Sequence, residues 1–193
     1  IGEKGFFESD FDVAPGVLIP RPDTETLVEH ALKILRTMKD KGCPGRVLEL
    51  GTGSGAIIVS LAKAVPCHSY FAVDISVEAL EIARKNADKI ACGRIKFFAG
   101  SWFSSLKENS RFDLIVSNPP YIPTGDIQKL QPEIRQFEPM LALDGGREGT
   151  DSFKLILKSA YHFLVPGGTI LLEMGFDQKE KVRYISEQYT EYK

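Results

Sequence analysis

The chain is poor in cysteine and histidine, which are common metal ligands, and cysteine also cross-links secreted proteins. It has three cysteines and three histidines among 193 residues. Cys43, Cys67 and Cys92 are odd in number and lack the close spacing of a zinc site, so we interpret them as reduced thiols. Reduced thiols are typical of the cytoplasm. We therefore expect a cytoplasmic protein without a metal site.

Long apolar runs and a surplus of basic residues are also absent from the sequence. No run approaches the roughly 18 residues that a membrane-spanning helix requires, and no secretory signal peptide is visible. Twenty-four basic and 26 acidic residues give a net charge of −2, whereas nucleic-acid-binding domains usually carry a basic surplus. These absences predict no contact with a membrane and no direct contact with nucleic acid.

What the sequence does contain is an alternation of short apolar runs and amphipathic helical patterns. We expect five strands, at Val47–Leu50, Tyr70–Val73, Ile95–Ala99, Phe112–Val116 and Thr169–Glu173. The expected helices are a segment after Asp23, Ala56–Ala64, Val77–Ile90, Asp151–Leu164 and a stretch containing Val182, Ile185 and Tyr189. Strands that alternate with helices form a mostly parallel sheet covered on both faces. The sequence therefore predicts a doubly wound, Rossmann-like α/β fold.

The first 22 residues differ in composition, because they are rich in aromatic residues, proline and glycine. We expect a β-hairpin-like segment with strands at Phe6-Phe7 and Phe11-Asp12-Val13, and a further strand at Val17-Leu18-Ile19. Pro20 and Pro22 end any regular element, since proline has no N–H donor. This pattern divides the chain into a linker-like segment, residues 1–22, and a main domain, residues 23–193.

A glycine-rich turn follows the first strand of the expected sheet and precedes a helix. Its sequence is Glu49-Leu50-Gly51-Thr52-Gly53-Ser54-Gly55. Glycines allow a tight turn and a close approach of a ligand, and the next helix offers N–H groups to an anion. The pyrophosphate of a dinucleotide and the methionine carboxylate of S-adenosylmethionine both fit, since the glycine spacing also matches a dinucleotide fingerprint. Asp74, after the second strand, can accept hydrogen bonds from the ribose of either cofactor.

Two further residues bear on the choice of cofactor. Glu49 precedes the first glycine, where it would hold the ammonium group of methionine but would repel a pyrophosphate. It therefore modestly favours S-adenosylmethionine. Trp102, the only tryptophan, follows the third strand, and we expect it near the adenine.

The sharpest signal is Asn118-Pro119-Pro120-Tyr121 at the end of the fourth strand. The proline after Asn118 keeps that residue extended, and neither proline has an N–H donor. The loop therefore offers acceptors to a substrate NH₂ group, and Tyr121 offers a flat face for stacking. Methyl transfer to a well-held nitrogen depends on proximity and alignment and needs no strong base. The sequence predicts methylation of a planar amide or amino nitrogen, with Asn118, Pro119 and Tyr121 as the catalytic residues.

These motifs resemble the release factor glutamine methyltransferases, the HemK family, over nearly the whole chain. The similar segments are Gly16–Glu25, Glu49–Gly55, Gly100–Phe103, Asn118–Tyr121, Glu138-Pro139 and Ala142–Gly146 with Gly149. The resemblance implies a class I S-adenosylmethionine-dependent methyltransferase fold and a monomer. It also implies methylation of the glutamine in the Gly-Gly-Gln loop of a class I peptide chain release factor.

The resemblance implies roles for individual residues as well. The residues that would contact the cofactor are Gly51, Thr52, Gly53, Ser54, Gly55, Asp74, Trp102 and Asn118. Asn118, Pro119, Pro120 and Tyr121 would hold the glutamine amide, with the Pro119 carbonyl group as the second acceptor. Arg21 would line the substrate entrance. The family also carries a helical domain before Ile1 and two strands beyond Lys193, so we expect a longer protein.

Four alternatives stay open on the sequence. A related group methylates a ribosomal-protein glutamine, but tends to have Pro-Arg-Ser-Pro where this chain has Pro20-Arg21-Pro22-Asp23. A nucleic-acid amino methyltransferase also acts on a planar NH₂ group, although the net charge disfavours it. A dinucleotide-dependent oxidoreductase explains the glycines and Asp74 but gives Asn118–Tyr121 no role. The fourth is a binding module without catalysis.

Overall fold

The computed structural model describes residues 2–90, 95–189 and 191–192. Cys92 lies outside the described residues, and Cys43 and Cys67 are exposed free thiols. In the described ranges no helix is long and apolar enough to cross a membrane. The same ranges contain no group of three or more His, Cys, Asp or Glu side chains that could hold a metal ion.

Strands and helices alternate along most of the chain. The strands are β1 Glu3–Phe6, β2 Ser9–Asp12, β3 Arg46–Leu50, β4 Ser69–Asp74, β5 Ile95–Ala99, β6 Phe112–Ser117 and β7 Leu164–Leu172. The α-helices are α1 Thr24–Asp40, α2 Ala56–Ala64, α3 Val77–Lys89, α4 Pro132–Phe137, α5 Met140–Leu143, α6 Asp151–Phe163 and α7 Lys179–Glu187. A 3₁₀-helix covers Thr124–Lys129.

Five strands form one parallel sheet in the order β5-β4-β3-β6-β7. Within this sheet the chain enters at the central strand β3, moves outward through β4 to β5, and then returns to β6 on the other side of β3. The direction of winding therefore reverses between β3 and β6. Open α/β sheets bind ligands at such a switch point, beyond the carboxyl ends of the strands.

Both faces of the sheet are buried, which confirms the doubly wound fold. Side chains alternate between the faces of a strand, and β3 shows this alternation. Val47 packs in a cluster with α1 and α2, whereas Leu48 and Leu50 pack in a second cluster with α6. Each fully buried side chain of this size contributes about 1.5–3 kcal/mol to folding.

Three local predictions were wrong. Phe7 is not in a strand, and the second strand begins at Ser9, not at Phe11. Phe7 and Glu8 form the turn between β1 and β2, with φ of 40° and 60°, as a two-residue type I′ hairpin requires. Val17-Leu18-Ile19 is not a strand, and Val17 is instead buried against α3. The last strand begins at Leu164 and not at Thr169. Leu164 already pairs with Phe112, and a shift in register then separates this pair from the next one, Leu114 with Thr169.

The N-terminal hairpin packs directly behind the glycine-rich turn. Phe6 and Phe11 are buried in the same cluster as α1 and α2. The buried side chain of Asn86, on α3, accepts a hydrogen bond from Asp12 N at 2.7 Å and donates to Asp12 O at 3.0 Å. It also donates to Ser54 O at 2.8 Å. One amide therefore connects the hairpin to the turn.

Candidate functional site

A cavity of about 450 Å³ lies at the carboxyl edge of the sheet, at the switch point. Residues at or just beyond the ends of β3, β4, β5 and β6 all contribute to its wall, and they include Gly51, Gly53, Asp74, Trp102, Asn118 and Pro120. A smaller cavity of about 50 Å³ adjoins it between the glycine-rich turn and the start of α1. The two cavities share Leu18, Gly51, Gly53 and Asn118.

The glycine-rich turn separates the two cavities, and its three glycines share a left-handed backbone but differ in the space around them. Gly51 and Gly53 have φ of 69° and 54°, which favours glycine, and a Cβ atom at Gly53 would meet no heavy atom within 4 Å. The main chain is therefore open to a ligand there. Gly55 lies outside both cavity walls, and a Cβ atom on it would lie 3.1 Å from Ala83 Cβ. Gly55 also has a left-handed φ of 80°, so both its backbone conformation and the close packing of α2 against α3 favour glycine there.

Most N–H groups of the turn are used inside the protein. Gly51 N and Thr52 N both donate to Val73 O, at 2.9 and 3.1 Å, and Gly55 N donates to Thr52 O at 2.8 Å. Thr52 and Ser54 line only the smaller cavity, together with Ala56 and Ile57 at the start of α2. An anion that binds the N–H groups at the N-terminus of α2 would therefore lie in the smaller cavity.

Glu49 is buried beneath the turn and lines only the smaller cavity. Its Oε2 atom accepts hydrogen bonds from Thr52 Oγ1 at 2.5 Å and from Ile58 N at 3.2 Å. Burial raises the pKa of Glu49 to about 8, since a charged carboxylate loses its hydration, and these two bonds offset part of that effect. Its contact with a methionine ammonium group stays a prediction.

Asp74 ends β4 and lies in the wall of the larger cavity. Its Oδ2 atom accepts a hydrogen bond from Gly53 N at 2.8 Å, and its Oδ1 atom accepts one from Ser76 N at 2.9 Å. An ionised carboxylate can accept about four hydrogen bonds. Asp74 therefore fixes the turn and keeps acceptor capacity for the hydroxyl groups of a ribose.

Trp102 lies in the cavity wall in a conformation that is rare for a residue with a side chain. Its φ is 50°, and a left-handed backbone costs such a residue on the order of 1–3 kcal/mol. Its ring atom Cζ3 lies 3.8 Å from where a Cβ atom of Gly51 would be. Strain of this kind concentrates at functional sites, and here it sets the indole beside the turn.

The loop Asn118–Tyr121 continues from β6, next to the end of β3. Ser117 Oγ donates to Leu50 O at 2.7 Å and joins the two strand ends. Asn118 lines both cavities, and its Nδ2 atom donates to Thr24 Oγ1 at 3.2 Å. Pro120 lines the larger cavity, whereas Pro119 is buried and lines neither. Within the described residues, Asn118 Oδ1 and the Pro119 carbonyl oxygen accept no hydrogen bond.

Tyr121 is directed away from the cavities. Its ring packs against Phe153, Leu157 and Val182 of α6 and α7, and its hydroxyl group donates to Glu173 Oε1 at 3.4 Å. Burial, with the nearby Glu173 carboxylate, raises the pKa of Tyr121 to about 12. The expected stacking of this ring on a substrate stays a prediction.

Gln178 supports the loop and was missed by sequence reasoning. Its buried Nε2 atom donates to Tyr121 O at 2.8 Å and to Gly149 O at 3.1 Å, while Gly175 N donates to its Oε1 atom at 2.9 Å. A glutamine at the start of an amphipathic helix gives no signal of this role. Only the folded chain places it behind the loop.

Arg21 contacts Glu138, and its expected place at the substrate entrance stays a prediction. Its Nη2 atom lies 2.6 and 2.7 Å from the two carboxylate oxygens of Glu138. Burial raises the pKa of Glu138, and the guanidinium group offsets part of that shift. Arg21 lines the smaller cavity, and Pro139 lines the larger one. The ion pair therefore joins the segment before α1 to the loops beyond β6.

Comparison with known proteins identifies the class of protein. Residues 25–135 match the family model described as Methyltransferase small domain. The crystal structure of a methyltransferase from Pyrococcus furiosus superposes with a TM-score of 0.66 at 22% identity, covering 93% of this chain and 77% of that one. At this identity the likeness bears on the fold alone. The fold and the family model together define a class I methyltransferase.

Curated relatives identify the family within this class. A release factor glutamine methyltransferase from Geobacter sulfurreducens is 46% identical over 182 residues, which are 94% of this chain and 61% of that protein. Another, from Koribacter versatilis, is 38% identical over 192 residues, which are 100% of this chain and 67% of that protein. The chain belongs to the release factor glutamine methyltransferase family. It spans about three fifths of the length of most of these relatives.

Membership in this family decides between the two cofactor classes that the glycine-rich turn left open. The cofactor is S-adenosylmethionine.

Proposed function

We propose that this chain transfers a methyl group from S-adenosylmethionine to the side-chain nitrogen of a glutamine, the one in the Gly-Gly-Gln motif of a class I peptide chain release factor. The observation that carries the proposal is the position of Asn118 where the two cavities meet. In S-adenosylmethionine the sulfonium group, which carries the methyl group, joins the adenosine part to the methionine part. A cofactor that extends through both cavities brings its methyl group beside Asn118.

The residues fit such a cofactor. The larger cavity holds the adenosine part, with Asp74 as acceptor for the ribose and Trp102 as an apolar wall. The smaller cavity holds the methionine part near Thr52, Ser54 and the start of α2, where helix N–H groups favour a carboxylate. Gly51 and Gly53 line both cavities, and Gly53 gives open space beside the main chain. Gly55 supports the turn through its helix packing.

The glutamine amide is held by acceptors. Asn118 Oδ1 and the Pro119 carbonyl oxygen accept no hydrogen bond from the described residues, so both suit the two N–H bonds of a primary amide. Hydrogen bonds to those two N–H groups align the nitrogen with the methyl group. This alignment lowers the barrier to methyl transfer, which depends mainly on proximity and orientation. The methylated nitrogen then loses its extra proton readily, because an amide nitrogen is a weak base. Pro120 and Tyr121 complete the loop.

The relatives' names support the substrate, since each is called a release factor glutamine methyltransferase. The chain matches only part of their length, so the substrate, the partner and the activity of the whole protein belong to this proposal. We also propose that the protein is a cytoplasmic monomer that makes no direct contact with nucleic acid. We propose as well that the chain divides into residues 1–22 and 23–193.

The test is mass spectrometry of a release factor after incubation with S-adenosylmethionine and protein that contains this chain. We expect one added methyl group on the glutamine of the Gly-Gly-Gln motif. A release factor with that glutamine replaced by alanine is the substrate control, and Asn118→Ala is the enzyme control. Asn118→Ala should abolish transfer while circular dichroism shows a folded protein. Methylation elsewhere, or near-normal transfer by the folded variant, would contradict the proposal.

A further inference from the structure

Glu173 follows β7 and has no place in the proposed function so far. Its N–H group donates to Ser117 O at 3.0 Å, which sets it beside the start of the Asn118–Tyr121 loop. Oε1 accepts the bond from Tyr121, whereas Oε2 is buried and has no hydrogen-bond partner among the described residues. A buried acceptor without a partner is costly.

The neighbours of Glu173 are the groups that fix Asn118. Burial raises the pKa of Glu173, whereas the Thr24 and Tyr121 hydroxyl groups and the Asn118 amide group lie close enough to favour its charged form and offset part of that shift. Asn118 Nδ2 donates to Thr24 Oγ1 at 3.2 Å. That donation leaves the Thr24 hydroxyl hydrogen free to turn toward the carboxylate. Glu173 therefore lies behind Asn118 and outside the walls of both cavities.

A side-chain amide has its oxygen and its NH₂ group on opposite branches of one plane. A carboxylate accepts hydrogen bonds and donates none, so a Glu173 carboxylate favours the orientation with the Asn118 NH₂ group on its own side. The Asn118 oxygen then points away from Glu173 and Thr24. In the opposite orientation Asn118 would present donors where a substrate NH₂ group needs an acceptor.

We propose that Glu173, acting through Thr24, is a positioning residue that holds the Asn118 side chain with its oxygen toward the substrate. This inference rests on the proposed function. The fixed carboxylate makes the site an acceptor of N–H groups and so selects a primary amide over groups that present only acceptors. Through Oε1 it also holds the Tyr121 hydroxyl group, so one residue orients both ends of the loop.

The variant Glu173→Gln tests the proposal, because it keeps the size of the side chain but presents both a donor and an acceptor. We expect kcat for methyl transfer to fall by about 10–100-fold, the cost of a misplaced reacting group. The dissociation constant of S-adenosylmethionine should stay within about twofold, since Glu173 lines neither cavity. Glu29→Gln, the same change at an exposed position on α1, is the matched control and should leave both unchanged.

The hydroxyl group of Thr24 gives a second test that does not alter Glu173. Thr24→Val removes the hydroxyl group at nearly constant shape and should lower kcat to a similar extent, whereas Thr24→Ser should restore it. Glu173→Gln combined with Thr24→Val should cost little more than either change alone, because both act through Asn118. Additive losses, or a full loss in Thr24→Ser, would overturn the proposal. If Glu173→Gln does not fold, the Thr24 pair carries the test.

Nuclear magnetic resonance separates this inference from the proposed function. The side-chain NH₂ signals of Asn118 are assigned by their loss in Asn118→Ala. We expect them to shift and to exchange faster with solvent in Glu173→Gln, with or without a methyl acceptor. If the wild-type protein methylates no glutamine, the proposed function is wrong, but the positioning role of Glu173 is not contradicted. If the Asn118 signals do not move and kcat stays normal in Glu173→Gln, the positioning role is wrong, but the proposed function is not contradicted.

Discussion

At the scale of single residues, burial decides the charge of Glu49. The pKa of about 8 leaves its carboxyl group mostly protonated at neutral pH, although it can still accept the bonds from Thr52 and Ile58. A cation bound beside it would favour the charged form and lower this pKa. Proton release on cofactor binding would therefore reveal a contact between Glu49 and the methionine ammonium group.

The titration of Glu49 predicts how stability depends on pH. The folded protein holds this proton between the ordinary pKa of 4.5 and about 8, so the free energy of unfolding falls as pH rises through that window. The slope contributed by Glu49 approaches about 1.4 kcal/mol per pH unit and vanishes above about pH 8. Glu49→Gln keeps an acceptor oxygen and cannot ionise. In denaturant unfolding at about pH 9, Glu49→Gln should have a larger free energy of unfolding than the wild type. If the difference in this free energy is the same at every pH, Glu49 does not titrate in this way.

Asp74 gives a second prediction at this scale. Replacing it with alanine should weaken S-adenosylmethionine binding by about 1–3 kcal/mol, the usual cost of losing charge-assisted hydrogen bonds. Asp113→Ala is a matched control, since Asp113 also accepts a backbone bond, from Arg46 N at 2.8 Å, at the opposite edge of the sheet. Calorimetry should find normal affinity in the control. Unchanged affinity in Asp74→Ala would remove the ribose role.

At the scale of elements, the Asn118–Tyr121 loop is held by a close backbone approach. A Cβ atom on Gly145 would lie 2.8 Å from Tyr121 Cα and 2.9 Å from the Pro120 carbonyl oxygen. Gly145→Ala must therefore push the loop out of place. We expect a loss of about 1–3 kcal/mol in the free energy of unfolding and about 100-fold in methyl transfer.

Gly125→Ala is the matched control for this prediction. A Cβ atom there would meet nothing within 4 Å, so stability should change by less than about 0.5 kcal/mol. Equal effects of the two substitutions would mean that space behind the loop does not matter.

The elements themselves could largely be predicted from the sequence. The apolar run Ile95–Ala99 and the helix Ala56–Ala64 have the expected bounds, because local periodicity determines them. The region between β6 and α6 could not be predicted, since the short helices α4 and α5 have no clear apolar period. The bulge before Thr169 depends on the register with β6, which a single strand does not encode.

At the scale of the whole molecule, the sequence predicted which strand ends would meet but not what holds them. The carboxyl ends of parallel strands share one edge, so Gly51, Asp74 and Asn118 could be placed together. Their supports come from far along the chain: Thr24 is 94 residues from Asn118, and Glu173 is 52 residues from Tyr121. Contacts at such separations follow from packing of the complete fold. Pattern reasoning over short windows therefore misses them.

The Arg21–Glu138 ion pair connects distant parts of the molecule across the site. The Arg21 side chain is 35% exposed and that of Glu138 is 2% exposed, so losing the cation leaves a buried carboxyl group. We expect Arg21→Met to cost about 1–3 kcal/mol of unfolding free energy, between the values for exposed and buried pairs. The loss should be smaller at about pH 5 than at about pH 8, because protonation removes the uncompensated charge.

The double variant Arg21→Met with Glu138→Gln tests this reasoning. It removes the buried charge and should recover part of the lost stability in denaturant unfolding. A double variant less stable than Arg21→Met alone would show that Glu138 matters through some contact other than its charge.

Trp102 places a fluorescent side chain in the wall of the larger cavity. The chain has a single tryptophan, so all indole fluorescence originates at the one ring that lies beside Gly51. A ligand that enters the cavity changes the polarity around that ring and therefore its emission. The unlabelled protein thus carries its own optical reporter of occupancy, and a fluorescence titration can rank the cofactor affinity of every variant on one common scale.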